Sequence, residues 1–234
     1  VRSNQWLAAG AAAVLALGAA ACGSSDESPS GGSSGGGSSN SASSSAKQGG
    51  TINGAGATFP APVYTEWAAR FKDQTGTTVN YQAIGSGGGI AQFTAGTVEF
   101  GATDAAMKPD EEAAAKKKGE PVHIPTVLGA VTVSYHVDGV DKGLKLDGAT
   151  VANIFLGKIK KWNDPAIAGA NSDAKLPDKD ITVCHRSDES GTTKNFTQFL
   201  ADYSPEWKSG PGVDKTVKWP TGTGAKGNDG VAGC

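Results

Sequence analysis

The chain has 234 residues, of which 21 are basic and 23 acidic, giving a formal net charge of −2 with 19% charged side chains overall. No basic stripe stands out to neutralise phosphates along a duplex, which excludes nucleic acid as a partner. Trp, Phe and Tyr recur through periodic apolar segments after residue 50, which excludes a wholly disordered chain.

The first 48 residues differ from the rest. A basic start at Arg2 leads into an apolar run from Trp6 to Ala21. Its 16 residues fall short of the ~20 that a bilayer-spanning helix needs. With small residues at its end, the run reads as a secretory signal over residues 1–21. Ala19-Ala20-Ala21-Cys22 resembles a bacterial lipoprotein box. Cys22 is therefore expected to be lipidated, and the protein to be an exported lipoprotein, cell-surface or periplasmic, anchored to the cell membrane. Residues 23–48 contain 12 Ser and 6 Gly. Such a composition buries too little surface to offset its ordering entropy, so 22–48 is expected to be a disordered tether with a reach of about 28 Å.

From Thr51 onward, short β-type runs alternate with helical ones. Thr51-Ile52-Asn53 opens a strand, and Val63, Trp67 and Phe71 then recur at helical spacing up to Gly76, a stop signal. Thr77–Ala83 is β-rich and runs into the glycine cluster 85–89, after which Ile90 and Phe93 predict a short helix. Val98–Ala102 reads as a strand and Asp110–Lys118 as a helix closed by Gly119. Val122–Thr126 and Ala130–Val137 are β-type, Ala149–Leu156 helical, and Ile181–His185 a strand. The last predicted helix carries Phe196, Phe199, Leu200 and Tyr203 on one face and ends before Pro205. This alternation marks an α/β fold, whose ligands sit beyond the carboxyl ends of the strands.

Three strand-to-helix loops share one chemistry: Ala57-Thr58-Phe59, Ser86-Gly87-Gly88 and Ser190-Gly191-Thr192. A helix start exposes unpaired N–H groups with partial positive charge, so hydroxyls and glycines there suit an anion. Ser and Thr are also ordinary N-caps, so no single loop is specific. Arg186 adds a planar fork of donors, and Asp188 stands two residues on to hold it. Asp104 should repel an anion unless that anion brings its own proton. Hydrogen phosphate does so near neutral pH and sulfate does not, so a carboxylate acceptor would discriminate between them.

The stretches 54–64 (GAGATFPAPVY), 79–89 (VNYQAIGSGGG), 100–104 (FGATD) and 186–192 (RSDESGT) closely resemble the phosphate-binding protein of bacterial phosphate ABC transporters. So do 154–159 (IFLGKI), 162–165 (WNDP) and 219–224 (WPTGTG). The resemblance implies a two-lobed, type II periplasmic-binding-protein-like α/β fold. The chain is expected to hold its incomplete N-terminal portion, with part of lobe 1 at 49–123 and part of a truncated lobe 2 at 124–234. The phosphate ligands it implies are Thr58, the Phe59 backbone N–H, Ser86, Asp104, Arg186, Ser190, Gly191 and Thr192, with Asp188 orienting Arg186. Partners implied are inorganic phosphate, the transmembrane subunits of an ABC permease and, through the lipid anchor, a membrane; a monomer is expected. Glu189 stands where the family commonly has a small residue, and its side chain is expected to face solvent.

Cys184 and Cys234 remain once Cys22 is set aside. In an exported protein such a pair suggests a disulfide, with two separate buried thiols as the alternative. The histidines at 123, 136 and 185 lack metal-ligand spacing, and no metal, cofactor or catalytic residue is expected. Ser190, His185 and Asp188 lie too close in sequence to align as a triad. Residues 222–227 fit a dinucleotide fingerprint without room for its later acidic residue. The rival functions are a secreted phosphomonoesterase and a binding protein for sulfate or molybdate.

Overall fold

The structure is a computed structural model that describes residues 49–140 and 142–234. The expected signal segment, Cys22 and the Ser/Gly tether lie outside the described residues.

Strand β1 (Thr51–Gly56) sits at the centre of a parallel sheet of order β2-β1-β3, flanked by β2 (Thr78–Ala83) and β3 (Phe100–Ala102). Helix α1 (Ala61–Thr75) joins β1 to β2 and stops at Gly76, whose φ of 78° closes the last turn. Helix α2 (Ser86–Ala95) joins β2 to β3, and α3 (Pro109–Ala115) follows. All three strands therefore end at the same edge.

Residues 148–234 pack around a two-stranded parallel sheet of β4 (Cys184–Arg186) and β5 (Thr223–Ala225). Around it lie α4 (Gly148–Phe155), α5 (Pro165–Ala168), α6 (Gly191–Tyr203), α7 (Pro205–Ser209) and α8 (Gly227–Ala232). The α4–α6 seam buries Val151, Ala152, Leu200, Ala201 and Trp207. Trp207 is fully buried and satisfies its indole N–H on the Gly212 carbonyl at 2.9 Å. Each large side chain in that seam stabilises the fold by about 1.5–3 kcal/mol. Cys184 and Cys234 are joined, with sulfurs 2.06 Å apart, pinning the end of α8 to the start of β4.

Several expectations are corrected here. The glycine cluster is not a loop before a helix at Ile90: α2 begins at Ser86 and the glycines form its first turn. A Cβ on Gly89 would lie 2.5 Å from the Gly56 Cα and 2.6 Å from the Ala55 carbonyl oxygen. The helix start can rest on the β1 backbone only without a side chain there. Residues 122–126 and 130–137 form no strands beyond an isolated bridge of Val137 to Val140. A β-type composition becomes a strand when a neighbour supplies backbone hydrogen bonds, and no described strand lies alongside. The buried stripe of α6 is Thr193, Thr197, Leu200 and Ala201, whereas Phe199 and Tyr203 are 39% and 55% exposed. The expected division at residues 123 and 124 falls in the irregular stretch between α3 and α4.

Candidate functional site

The carboxyl ends of four strands meet at one place. After β1 the chain runs through Ala57 and Thr58 into α1; after β2 it enters α2 at Ser86; after β3 it reaches Asp104; after β4 it passes Arg186 and Asp188 to Ser190, the N-cap of α6. Ser190 caps because its hydroxyl oxygen accepts from the Thr193 N–H at 3.1 Å. Its own N–H donates to the Lys215 carbonyl at 3.0 Å, which fixes the loop before the helix.

Direct bonds link the ends of β2 and β3 to the start of α6. The Gly191 N–H donates to Ser86 Oγ at 2.9 Å, and the Asp104 N–H approaches the same oxygen at 3.4 Å. Thr192 Oγ1 donates to Asp104 Oδ2 at 3.0 Å, and Asn195 Nδ2 donates to the Asp104 carbonyl at 3.0 Å. Ser86 and Ser190 are both 1% exposed, so their hydroxyls work in a dry environment. Asp104, Thr103 and Thr192 face Phe59 and Ile124 across a cleft of about 270 Å³. The ring of Phe59 lies over Gly129 on the irregular stretch.

Arg186 is 8% exposed and held in plane: Nε donates to Asp188 Oδ1 at 2.7 Å and Nη2 to Oδ2 at 2.5 Å. Burial pushes the Asp188 carboxyl up, but the bonds from Arg186 and the Gly227 N–H outweigh it and hold it below its ordinary value. Asp104 goes the other way. Burial raises its carboxyl above the ordinary range, opposed only in part by hydrogen bonds from Thr192, the charge of Arg186 and a hydrogen bond from Ser86. The Glu189 side chain is exposed, as its expected orientation requires, but it also lies along Gly87, whose N–H donates to the Glu189 carbonyl at 3.3 Å.

Thus Ser86, Asp104, Arg186, Asp188, Ser190, Gly191 and Thr192 form one connected cluster, with Thr58 joined to it through the Asn228 N–H at 3.3 Å. Residues missed by the sequence reading include Asn195, Gly227 and Asn228, which bond to Asp104, Asp188 and Arg186. Tyr81 was missed too; its hydroxyl donates to the Ala57 carbonyl at 2.6 Å and steadies the loop that carries Thr58. The signal for Asn228 was available. Residues 223–232 repeat the small-residue turn from strand to helix seen in the other three loops. Among the described residues no group of His, Cys, Asp and Glu is placed to hold a metal ion, and no helix is long and apolar enough to cross a membrane.

Comparison with known proteins shows the family. A family profile described as the PBP superfamily domain matches residues 41–233. The phosphate-binding protein PstS of Pasteurella multocida is 52% identical over 186 residues, covering 79% of this chain and 53% of its own length. PstS of Haemophilus influenzae is 48% identical over 186 residues, covering 79% and 54%. The chain thus spans about half the length of these curated relatives. A Clostridium perfringens protein, described as a phosphate ABC transporter substrate-binding protein and crystallised with bound phosphate, superposes with a TM-score of 0.54 at 18% identity. That match covers 79% of this chain and 65% of the other and bears on the fold alone. With 193 of its 234 residues matched by the profile, the chain belongs to the PBP superfamily.

Proposed function

We propose that this chain carries the anion-receiving part of a phosphate-binding protein that delivers inorganic phosphate to an ABC permease. The observation that carries the reading is Asp104. A carboxylate stands within a cluster of hydroxyls, helix-start N–H groups and a buried guanidinium, and accepts a bond from Thr192. Donors alone would suit any oxyanion. An acceptor among them suits one that still carries hydrogen, as monohydrogen phosphate does. The names of the PstS relatives agree with this choice.

In this reading Thr58, the Phe59 N–H, Ser86 and Asp104 contact the anion from one side, and Arg186, Ser190, Gly191 and Thr192 from the other. Asp188 orients Arg186. Only a closed arrangement makes all these contacts, so phosphate favours closure, and the closed form docks on the permease. The protein is exported, anchored through Cys22, and acts as a monomer. No bond of the ligand is made or broken.

Titration calorimetry with phosphate and with sulfate at pH 7.5 tests this. Phosphate is expected to bind and sulfate to bind far more weakly. Asp104→Asn should narrow that gap by about 10- to 100-fold, the worth of a charged hydrogen bond. Equal affinity for both anions in the unaltered chain would defeat the role of Asp104. Turnover of a chromogenic phosphate ester, lost in Asp104→Asn, would replace this reading with a phosphomonoesterase.

A further inference from the structure

We infer that Asn228 is a positioning residue of the anion site, tying the guanidinium of Arg186 to the hydroxyl of Thr58. The inference rests on the phosphate reading and adds to it a residue outside the expected ligand set.

Asn228 bonds at once to Arg186 and to Thr58, which belong to the two opposing groups of proposed ligands. Its Oδ1 accepts from Arg186 Nη1 at 3.3 Å, and its backbone N–H donates to Thr58 Oγ1 at 3.3 Å, across 170 residues of chain. Its neighbour Gly227, turned by a φ of 70°, donates its N–H to Asp188 Oδ1 at 3.1 Å, the oxygen that also accepts from Arg186 Nε. Of the five N–H donors on a guanidinium, Asp188 takes two and Asn228 one. Two remain, on the two terminal nitrogens, which is the fork that grips an oxyanion. Without Asn228, Arg186 is held along one edge only.

The choice of side chain has a chemical reason. An amide oxygen accepts from Arg186 without cancelling its charge. A carboxylate at 228 would hold the guanidinium equally well but would set a further negative charge beside the anion. Thr58 is oriented in the same way: an oxygen that accepts from Asn228 points its own proton elsewhere, ready to donate. The helix carrying Asn228 is itself fastened on both flanks, by Gly227 to Asp188 in the loop after β4 and by the Cys184–Cys234 disulfide to the start of β4.

The test compares phosphate binding by calorimetry in the unaltered chain, Asn228→Ala and Asn228→Asp, at low and high salt. Asn228→Ala should bind phosphate about 10- to 100-fold more weakly, the range for one lost hydrogen bond to a charged group, at either salt concentration. Its unliganded melting temperature should match that of the unaltered chain. Asn228→Asp keeps the acceptor, so its loss should be electrostatic and shrink as salt rises. Unchanged affinity in Asn228→Ala overturns the inference. So does a loss of affinity explained by a matching fall in unliganded melting temperature, or the same salt response in both variants. If the unaltered chain fails to bind phosphate, the functional reading itself fails and takes this inference with it.

Discussion

Asp104 and Asp188 lie in one cluster and are driven in opposite directions. Burial dominates at Asp104, so the folded protein holds a proton there more readily than the unfolded chain does. Stability therefore falls as pH rises from the ordinary carboxylate value through the raised folded one, and at neutral pH the charged group is a net cost. Asp104→Asn keeps an oxygen to accept from Thr192 and removes that charge. Its unliganded melting temperature at pH 7.5 should exceed that of the unaltered protein, by about 2–4 °C for each kcal/mol relieved. The gain should vanish near pH 4, and differential scanning fluorimetry across that range checks it. Asp188 has the reverse sign: its lowered carboxyl contributes stability above the ordinary value that is lost as pH falls. Both residues were readable as candidates from their neighbours in sequence. The direction of each shift was not, because it depends on how much water the fold leaves at each oxygen.

At the scale of elements, α2 shows what the sequence could and could not say. Glycines at 85–89 were recognised as an anion loop, but their packing role was invisible without β1 beneath them. Gly89→Ala would drive a Cβ into the Ala55 carbonyl and the Gly56 Cα, backbone atoms that cannot move aside cheaply. Urea unfolding should show a loss of about 1–3 kcal/mol or more. Gly87→Ala would set a Cβ 2.4 Å from the Glu189 Cβ, which only a backbone shift can move, so its cost should be comparable. Urea midpoints unchanged in both variants would disprove this account of the two glycines. Helix α6 teaches a related lesson. Its span was legible from its apolar spacing, yet the buried stripe runs through Thr193 and Thr197 while the rings of Phe199 and Tyr203 pack against each other, tilted by 51°, at the surface. Thr197 pays for burial with a bond from its hydroxyl to the Lys194 carbonyl, which hydrophobicity alone does not reveal.

Over the whole molecule, the start of α3 is also joined to residues 214 and 215, away from the anion cluster. Lys108 Nζ lies 2.7 Å from Asp214 Oδ2, and Lys215 Nζ lies 2.6 Å from both carboxylate oxygens of Glu111. The Lys108–Asp214 pair is well exposed and worth little, whereas the Lys215 side chain is 4% exposed. Removing the partner of a buried charge is costlier than removing the pair, because it strands the survivor in a dry site. Glu111→Gln should therefore destabilise the protein by about 3 kcal/mol, and Lys215→Met much less, in parallel urea titrations. Equal losses would place the value of this contact in packing rather than charge.

By itself, the sequence determined the α/β alternation, the loops with anion-binding chemistry, and the identity of nearly every side chain in the cluster. These are local: a helix start, a hydroxyl beside a glycine and an arginine two residues from an aspartate are legible from neighbours alone. Tertiary structure alone decided that Gly191 meets Ser86, that Asn228 joins Arg186 to Thr58, and that residues 122–137 run irregularly despite their β-type composition. Those outcomes depend on which backbone lies alongside across 100 residues or more, and pairing at that distance is chosen by the packing of the whole chain.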